Sequence, residues 1–497
     1  MESLRCFDRI SIEDPTLFRD GITTRYLLWS GPHGVSSRLH FRYDRPLIDP
    51  EDPLIRNLAR LIVTMPAINY GLFTNTLTLQ FPLEGADVRM IQYMLENTAR
   101  EIYLNKILGE NPFLLPEYRP ATFVKPDRFC RATLQVDHVE GLPWTVALDP
   151  KRYAVCSSGG KESLLTYGLL DEIGLEPHCF FFNESGRHWY TALNAYRYFK
   201  ANVPRTWRVW SNVDRLYNFV LRHLRIIRSD FHRVRADIYP IRLFTIEVMA
   251  AAFLPILYRE RIGHLLIGNE FDTTQYAPSH DVYHYHMVYD QSRYFDDYMT
   301  RYFRRKGLPL HQGSILRPLS ELLVERILGR RYPELFRVQT SCHAAHLDGG
   351  RVLPCGRCEK CQRVMALTIA NGLDPAVLGY RGRDIRLLAR RLPKTSLRQE
   401  GAGIRHLHYL LRRSAPALFR GLGVPRPHPE IEHLRFDRER SPLDAIPEDI
   451  RDAVLRMMLE HAAGSVERRG RRWVPLHVAG MPPAAGGAPA EREGRNR

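Results

Sequence analysis

Residues 153–170 combine hydroxyl, glycine and charged side chains at a turn between two regular elements. The stretch opens with an apolar run that predicts a buried strand, and helical spacing starts at Ser163. Between them, Ser158, Gly159 and Gly160 form a tight turn, in which glycine lets the backbone approach a ligand closely. The free amides of a helix's first turn attract anions, most often phosphate, and the two serines add hydroxyl donors. The stretch therefore predicts a phosphate-binding loop, although a plain turn has the same composition.

Four of the eight cysteines lie close together in a C-x12-C-x2-C-x2-C pattern. Four thiolates at this spacing fit a tetrahedral zinc ion with no open position, which is typical of a structural site. Disulfides are the alternative, but the chain's start lacks the apolar core of a secretory signal, so we expect a cytoplasmic protein in which disulfides are rare. The predicted ligands are Cys342, Cys355, Cys358 and Cys361.

A third group of reactive side chains lies in residues 276–302, which are rich in Tyr, His and Asp. His284 and His286 are candidates for acid–base chemistry because imidazole titrates near neutral pH. The spacing of zinc hydrolases is absent from this stretch, and most of its polar residues are expected to be structural.

Alternating strand and helix patterns after residue 150 indicate how these groups are positioned. Apolar runs at 153–156, 178–182 and 265–268 predict strands of a parallel sheet covered by helices. Ligands bind such sheets at the carboxyl ends of the strands. The polar residues that follow the later two runs are therefore candidates, although each turn could equally be a solvated loop; they are Asn183, Asn269, Glu270 and Asp272.

The fold class predicted from these patterns is α/β, a parallel sheet with helices on both faces. A small α+β domain precedes it, because residues 39–43 and 77–81 alternate like strands and residues 86–108 have helical spacing. A zinc knuckle and a basic helical region follow it. The predicted boundaries are 1–150 for the α+β domain, 151–335 for the domain that carries the phosphate-binding loop, 336–375 for the knuckle, 376–479 for the helical region and 480–497 for a disordered tail.

Charge is distributed unevenly along the 497 residues. The net charge is +16, and residues 376–497 carry 24 Lys and Arg against 14 Asp and Glu, so most of the surplus lies there. Arginines interleaved with aromatic residues at 206–228 could bind nucleic acid, but Leu216, Val220 and Leu224 at helical spacing favour a buried stripe with a solvated basic face. The most apolar stretch, 243–258, is too short to span a bilayer, so no membrane partner is expected. Oligomeric state stays open.

The run S-G-G-K-E-S at 158–163 resembles the S-G-G-x-D-S loop of the PP-loop ATP pyrophosphatase superfamily, and it lacks the spacing of a Walker loop. The resemblance implies an adenine-nucleotide-hydrolase-like sheet that binds ATP and Mg²⁺ and transfers AMP to a substrate oxygen. Ser158, Gly159, Gly160 and Ser163 would then hold the pyrophosphate, with Lys161 assisting electrostatically. Glu162 replaces the usual Asp of that loop, which lengthens the carboxylate's reach toward Mg²⁺ by one methylene.

Further motifs are similar to those of the ATP-dependent epimerase family that acts on UDP-N-acetylmuramoyl-L-alanyl-L-glutamate in peptidoglycan precursor synthesis. They are N-E at 269–270, L-R-P-L-S-E-L at 316–322, and S-C followed by C-G-R-C-E-K-C at 341–361. This resemblance covers about residues 35–370 and implies an anionic carboxylate substrate. Glu162 or Glu270 would hold Mg²⁺, and Asp272, His284 or His286 would be the base that inverts the glutamate centre.

Two alternatives stay open. The loop and the cysteines also resemble 7-cyano-7-deazaguanine synthase, in which ammonia captures the adenylate, although that enzyme is shorter and lacks the leading domain. The basic C-terminal region would suit a PP-loop enzyme that modifies tRNA, which makes nucleic acid a possible but not a favoured partner.

Overall fold

A computed structural model describes residues 2–120, 122–141, 144–186, 188–234, 236, 238–285, 289–342, 344–395, 397–423 and 425–477. The strands are β1 (Phe7–Glu13), β2 (Thr16–Phe18), β3 (Gly21–Ser30), β4 (His33–Tyr43), β5 (Thr74–Gln80), β6 (Leu83–Glu84), β7 (Thr133–Val136), β8 (Val139–Glu140), β9 (Asp149–Ser157), β10 (His178–Asn183), β11 (Thr206–Ser211), β12 (Ile262–Ile267), β13 (Tyr276–Ser279), β14 (Val282–Tyr285), β15 (His311–Gly313), β16 (His346–Asp348), β17 (Arg351–Leu353), β18 (Leu434–Phe436), β19 (Ser465–Arg469) and β20 (Arg472–Pro475). The helices are α1 (Pro53–Thr64), α2 (Gly85–Ile102), α3 (Lys161–Glu172), α4 (Trp189–Asn202), α5 (Val213–His223), α6 (Ile246–Ala251), α7 (Leu254–Arg259), α8 (Arg293–Arg305), α9 (Glu321–Arg331), α10 (Pro333–Val338), α11 (Glu359–Ala370), α12 (Gly382–Arg391), α13 (Gly401–Ser414) and α14 (Glu448–Leu459).

Eleven of these strands form one mostly parallel sheet. Its order is β15-β12-β9-β10-β11-β4-β3-β1-β5-β7, and β2 pairs with β3. The strands from β15 to β11 are mutually parallel, whereas β4 joins β11 in the antiparallel direction, with Tyr43 opposite Val209. The N-terminal strands thus continue the same sheet, and the boundary predicted at residue 150 lies within β9. An α/β fold with a mostly parallel central sheet is confirmed.

Alternate residues of the central strands face two separate apolar cores. Ala154, Phe180 and Leu265 pack on the side of α6 and α7 together with the N-terminal helices. Val155, Phe181 and Leu266 point to the other side, where α3, α4, α9 and α11 lie. Because both faces are covered by apolar helices, these strands read as continuous hydrophobic runs, as buried parallel strands do. The predicted helices on both faces are confirmed.

The region 376–479 was predicted to be helical, and the structure differs in part. Helices α12, α13 and α14 are present, but β18, β19 and β20 form a three-stranded sheet. The strand β18 has only three residues, too few to show a strand pattern, and its Arg435 is buried like its neighbours Leu434 and Phe436. Apolar residues of this region, such as Leu411 and Val454, belong to the same core as α3 and α9. The predicted disorder of 480–497 falls outside the described residues.

No helix among the described residues combines the length and the apolar content needed to cross a bilayer.

Candidate functional site

The chain changes direction across the sheet at β9. Strands β10 and β11 follow on one side of β9, whereas β12 and β15 are added on the other side. All five are parallel, so their carboxyl ends share one edge. Such a switch point opens a crevice outside the carboxyl ends of the strands, where α/β proteins bind ligands. The loop 158–160 follows β9 and lies at this position.

The loop is held in place by its glycines. Gly159 has φ of +74°, and a Cβ there would lie 2.7 Å from the carbonyl oxygen of Thr191, so only glycine fits. The amide of Gly159 donates to Ser157 Oγ at 3.4 Å, and its carbonyl accepts from the amide of Thr340 at 3.0 Å. Gly160 is the N-cap of α3 and no described side chain caps that helix. The first-turn amides of α3 therefore lack the side-chain partner that an N-cap residue usually supplies.

The predicted loop hydroxyls differ in their exposure. Ser158 is exposed at the tip of the loop. Ser163 is buried, and its hydroxyl donates to the carbonyl oxygen of Gly160 at 3.1 Å and lies 3.3 Å from Ser157 Oγ. Ser163 and Ser157 therefore contact each other beneath the loop, whereas the exposed Ser158 has its hydroxyl beside Gly160.

Three carboxylates converge beside the loop. Glu162 lies in the first turn of α3, Glu270 follows β12, and Glu321 begins α9; one oxygen of each lies within 4.8 Å of the others. Gly268 permits this approach, because a Cβ there would lie 2.6 Å from Glu162 Cβ. The ammonium of Lys161 is buried among them, where it pairs with Glu162 and lies 3.7 Å from Glu321. The chain thus brings oxygen ligands of the kind that Mg²⁺ prefers to one point.

The electrostatics of this cluster are set by burial and by mutual contact. Burial, together with Glu162 and Glu321, raises the pKa of Glu270 to about 8. Burial would lower the pKa of Lys161, but the three surrounding carboxylates outweigh it and raise that pKa. For Glu321, burial favours the protonated form, whereas Arg363 and Lys161 outweigh it and hold the pKa below its usual value. Glu270 is therefore a carboxyl group of this cluster that changes its protonation near neutral pH.

Asp272 lies at the same edge and is bound by the C-terminal region. Arg435, which is fully buried, places a guanidinium nitrogen 3.3 Å from Asp272 Oδ1 and another 2.6 Å from Glu400 Oε2. The backbone amide of Glu400 donates to Asp272 Oδ2 at 3.3 Å. Burial and the nearby Glu400 raise the pKa of Asp272 to about 7, although Arg435 opposes the shift. A carboxyl group with this pKa can accept or donate a proton near neutral pH.

The remaining predicted residues have different positions. Asn183 ends β10, and its side-chain oxygen accepts from the amide of Ser185 at 2.9 Å, which closes the turn. Asn269 is buried, its backbone is bound by Ser314, and its side-chain nitrogen has no partner among the described residues. His284 lies on the β14 strand of a separate hairpin, and His286 falls outside the described residues. The structure thus brings together the loop, Glu162, Glu270 and Asp272.

The four cysteines form a compact cluster that could hold a metal ion such as zinc. Cys358 Sγ lies 3.9 Å from Cys342 Sγ and 3.5 Å from Cys361 Sγ, and Cys355 Sγ lies 3.8 Å from Cys361 Sγ. Zinc–sulfur bonds of about 2.3 Å in a tetrahedron give sulfur separations of about 3.8 Å. The backbone amides of residues 344, 355, 357 and 358 donate to these sulfurs, and this favours thiolates.

The cysteine cluster is attached directly to the carboxylate cluster. Cys358 is the N-cap of helix α11, Cys361 lies in its first turn, and the same helix carries Arg363, whose Nη1 lies 3.1 Å from Glu321 Oε1. Thr340, which bonds to Gly159, lies two residues before the first ligand. A metal bound by the cysteines would therefore fix both the loop and the arginine that faces Glu321.

Sequence reasoning gave no role to several residues that surround the site. Glu321 lies in the quoted run 316–322, and Arg363 lies two residues after Cys361, so both were near recognisable motifs. Gln399, which donates to Glu321 Oε2 at 2.5 Å, and Glu400 and Arg435 come from the basic C-terminal region and have no local signal. In the stretch 206–228, Trp207 and Tyr217 are buried, so these rings do not offer an exposed stacking surface.

No protein-family model and no curated protein matches this chain.

Proposed function

We propose that this protein is an ATP-dependent enzyme of the PP-loop type that adenylates a substrate carboxylate. One observation carries the proposal: a glycine loop and an uncapped helix N-terminus lie at the switch point of a parallel sheet, beside three converging carboxylates. The helix terminus suits a polyphosphate and the carboxylates suit Mg²⁺, and together they match the chemistry of nucleotide transfer. The most specific form of the proposal is epimerisation of the terminal L-glutamate of a UDP-muramoyl dipeptide.

In the first step a carboxylate oxygen of the substrate attacks the α-phosphorus of ATP. The bond from the α-phosphorus to the bridging oxygen of the β-phosphate breaks, and pyrophosphate leaves with that oxygen. The amides of α3 and the Ser158 hydroxyl hold the pyrophosphate. Glu162, Glu270 and Glu321 would hold Mg²⁺, which offsets the charge of the leaving group when it is bound.

In the second step Asp272 acts as the base. The acyl-adenylate acidifies the α-hydrogen of the substrate, and the Asp272 carboxylate takes this proton. Delivery of a proton from water to the opposite face inverts the carbon, attack of water on the carbonyl then releases AMP, and Asp272 returns its proton to solvent. The pKa of about 7 lets Asp272 exist as a carboxylate at neutral pH and still hold a proton once it has taken one.

The experiment is incubation of the pure protein with ATP, Mg²⁺ and UDP-N-acetylmuramoyl-L-alanyl-L-glutamate, followed by measurement of AMP, pyrophosphate and glutamate stereochemistry. We expect both nucleotide products and an inverted centre. Asp272→Asn should keep exchange of labelled pyrophosphate into ATP but lose inversion, because only the second step needs the base. Nitrogen incorporation in place of inversion, when an ammonium salt is added to the same mixture, would move the proposal to the ammonia-capturing alternative. The absence of any ATP cleavage would overturn it.

A further inference from the structure

A large cavity lies beside the candidate site, beyond the carboxyl end of β10. Its volume is about 1280 Å³, and its walls come from α5, from described residues of the segment 231–242 and from His188 just before α4. Pockets for small molecules usually measure about 300–1000 Å³, so this cavity has room for a ligand larger than an amino acid. Ala344 and Cys358 of the cysteine knuckle also line it, as does Arg398. Since Gln399, the next residue, contacts Glu321, one wall of the cavity is continuous with the carboxylate cluster.

The charged side chains of the described lining are mostly basic. They are Arg233, Arg242 and Arg398, against the carboxylate of Asp214, whose Oδ1 lies 3.2 Å from Arg242 Nη1. Arg233 and Arg398 are exposed, whereas the side chain of Arg242 is only 13% exposed. A cleft with this balance of charge favours an anionic ligand.

Arg242 is the most strongly fixed of the cationic groups. Its guanidinium lies 3.9 Å from the centre of the Tyr239 ring and 4.5 Å from that of Tyr217, so two aromatic faces hold it in one plane. Tyr239 Oη in turn lies 2.6 Å from His188 Nε2 at the start of α4. A guanidinium that is oriented in this way is suited to recognition of a planar carboxylate.

The same group has unused hydrogen-bonding capacity. Among the described residues, three buried atoms in this place have no hydrogen-bond partner. They are Arg242 Nε, Tyr217 Oη and Oε1 of the adjacent Glu184. Buried polar atoms normally have partners, and several orphans in one place indicate a missing ligand or bound water. Burial raises the pKa of Glu184 to about 7, and this residue lines a smaller cavity that shares Tyr217 and Arg242 with the large one.

We propose that this cavity binds the acyl substrate of the enzyme, a carboxylate-bearing organic anion larger than an amino acid, with Arg242 as its anchor. The identity of the anion as the acyl substrate rests on the proposed function. Arg242 binds a carboxylate of the substrate, and Tyr217 and Tyr239 fix the guanidinium. The far end of the same ligand reaches toward the knuckle wall, next to the carboxylate cluster where ATP is cleaved.

The test measures binding without turnover. UDP-N-acetylmuramoyl-L-alanyl-L-glutamate and a non-hydrolysable ATP analogue are titrated separately into the full-length protein in a calorimeter. We expect Arg242→Gln to weaken binding of the muramoyl probe at least about tenfold, the effect of losing one charged hydrogen-bonded contact, and to leave the ATP analogue unchanged. Tyr239→Phe keeps the ring against Arg242, so it should weaken binding of the muramoyl probe by only about threefold.

A matched control is Arg60→Gln. Arg60 is also paired, with Asp14 at 2.9 Å, and its side chain is 11% exposed against 13% for Arg242, but it lies outside the cavity. Its variant should bind both probes normally. Circular dichroism and thermal melting of each variant show whether it is folded.

The outcomes separate this inference from the proposed function. Loss of probe binding in Arg242→Gln supports the cavity assignment even if the wild-type protein never releases AMP. Unchanged probe affinity in Arg242→Gln overturns it even if the epimerase reaction proceeds. The cavity assignment is also overturned if the wild-type protein does not bind the muramoyl probe. The same holds if Arg242→Gln loses binding of the ATP analogue and keeps binding of the muramoyl probe.

Discussion

Two adjacent glycines contribute to the loop in different ways. At Gly159 the backbone is left-handed and a Cβ would meet the backbone of α4. At Gly160 the backbone is extended, with φ of −87°, and the nearest atoms to a Cβ are the flexible ends of Glu162, at 3.2 Å, and Ser158, at 3.4 Å. The first glycine is therefore needed for the fold of the loop, and the second keeps the space at the N-terminus of α3 open.

Substitution of each glycine by alanine separates these two contributions. Gly159→Ala should lower the melting temperature by several degrees, because a left-handed alanine costs about 1–2 kcal/mol before the steric clash is counted. Gly160→Ala should melt like the wild type but lose at least about tenfold in ATP–pyrophosphate exchange, since its methyl group enters the phosphate position. Full exchange activity in folded Gly160→Ala would contradict the assignment of the loop.

The buried carboxyl group of Glu247 should make the free energy of unfolding depend on pH, whatever reaction the candidate site catalyses. It is fully buried, it accepts a hydrogen bond from Gln312 at 3.0 Å, and burial raises its pKa to about 8, with Asp290 and Asp296 adding to the shift. Since this pKa exceeds the value of about 4.5 in the unfolded chain, the contribution to stability is fully present below pH 4.5 and is lost as the pH rises through 8.

The variant Glu247→Gln should remove this dependence. Between pH 4.5 and pH 8 the free energy of unfolding of the wild type should fall by about 4 kcal/mol, at about 1.4 kcal/mol per pH unit. Melting temperatures of the two proteins between pH 5 and 9 should therefore diverge in favour of the variant as the pH rises. The side chain of Gln312 can turn to accept from the new amide, because its own oxygen has no partner among the described residues. A constant difference across the pH range would show that Glu247 is ionised in the fold.

At the scale of elements, the cysteine knuckle contacts both the glycine loop and the carboxylate cluster, so a metal bound there would stabilise the proposed phosphate site. Cys358→Ser should lower zinc content from about one ion per chain and also reduce ATP turnover. The second effect follows because α11 carries Arg363 to Glu321 and Thr340 bonds to Gly159. Elemental analysis and the exchange assay on the same preparation test this. As a control, Cys6→Ser changes a half-buried cysteine outside the cluster and should alter neither zinc content nor ATP turnover. Normal ATP turnover in metal-free Cys358→Ser would show that the loop does not depend on the cysteine cluster.

Local patterns were sufficient to predict the elements that carry this arrangement. The strands β9, β10 and β12 are apolar runs, and α3 begins directly after two glycines, so their positions follow from short stretches of sequence. The pairing of β4 with β11 was not predictable. The local sequence of a strand does not specify which other strand it will pair with, and here Tyr43 lies opposite Val209, far along the chain. For the same reason the sequence suggested a separate N-terminal sheet.

At the scale of the whole molecule, the basic C-terminal region is part of the candidate site. Its apolar residues share a core with α3 and α9, and three of its polar residues, Gln399, Glu400 and Arg435, reach the carboxylates at the sheet edge. Arg435 lies 163 positions along the chain from its partner Asp272, and no local motif joins them. The surplus of arginine suggested a solvated or nucleic-acid-binding surface, yet Arg435 is fully buried.

Arg435 provides the test of this long-range arrangement. Its guanidinium stabilises the ionised form of Asp272 and also lies 3.9 Å from the centre of the Phe271 ring, which orients it. Arg435→Met keeps an apolar contact with that ring but removes the charge, so the pKa of Asp272 should rise further above 7.

Because a base must be deprotonated to act, the acidic limb of the pH–rate profile for inversion should move to higher pH. We expect inversion at pH 7 to fall at least about tenfold and to recover in part at pH 9, since one pKa unit changes the ionised fraction by about a factor of ten. Exchange of pyrophosphate into ATP, which does not need the base, should keep its pH profile. If the two profiles move together, Arg435 acts on the site as a whole, and Asp272 is not the group whose proton the C-terminal region controls.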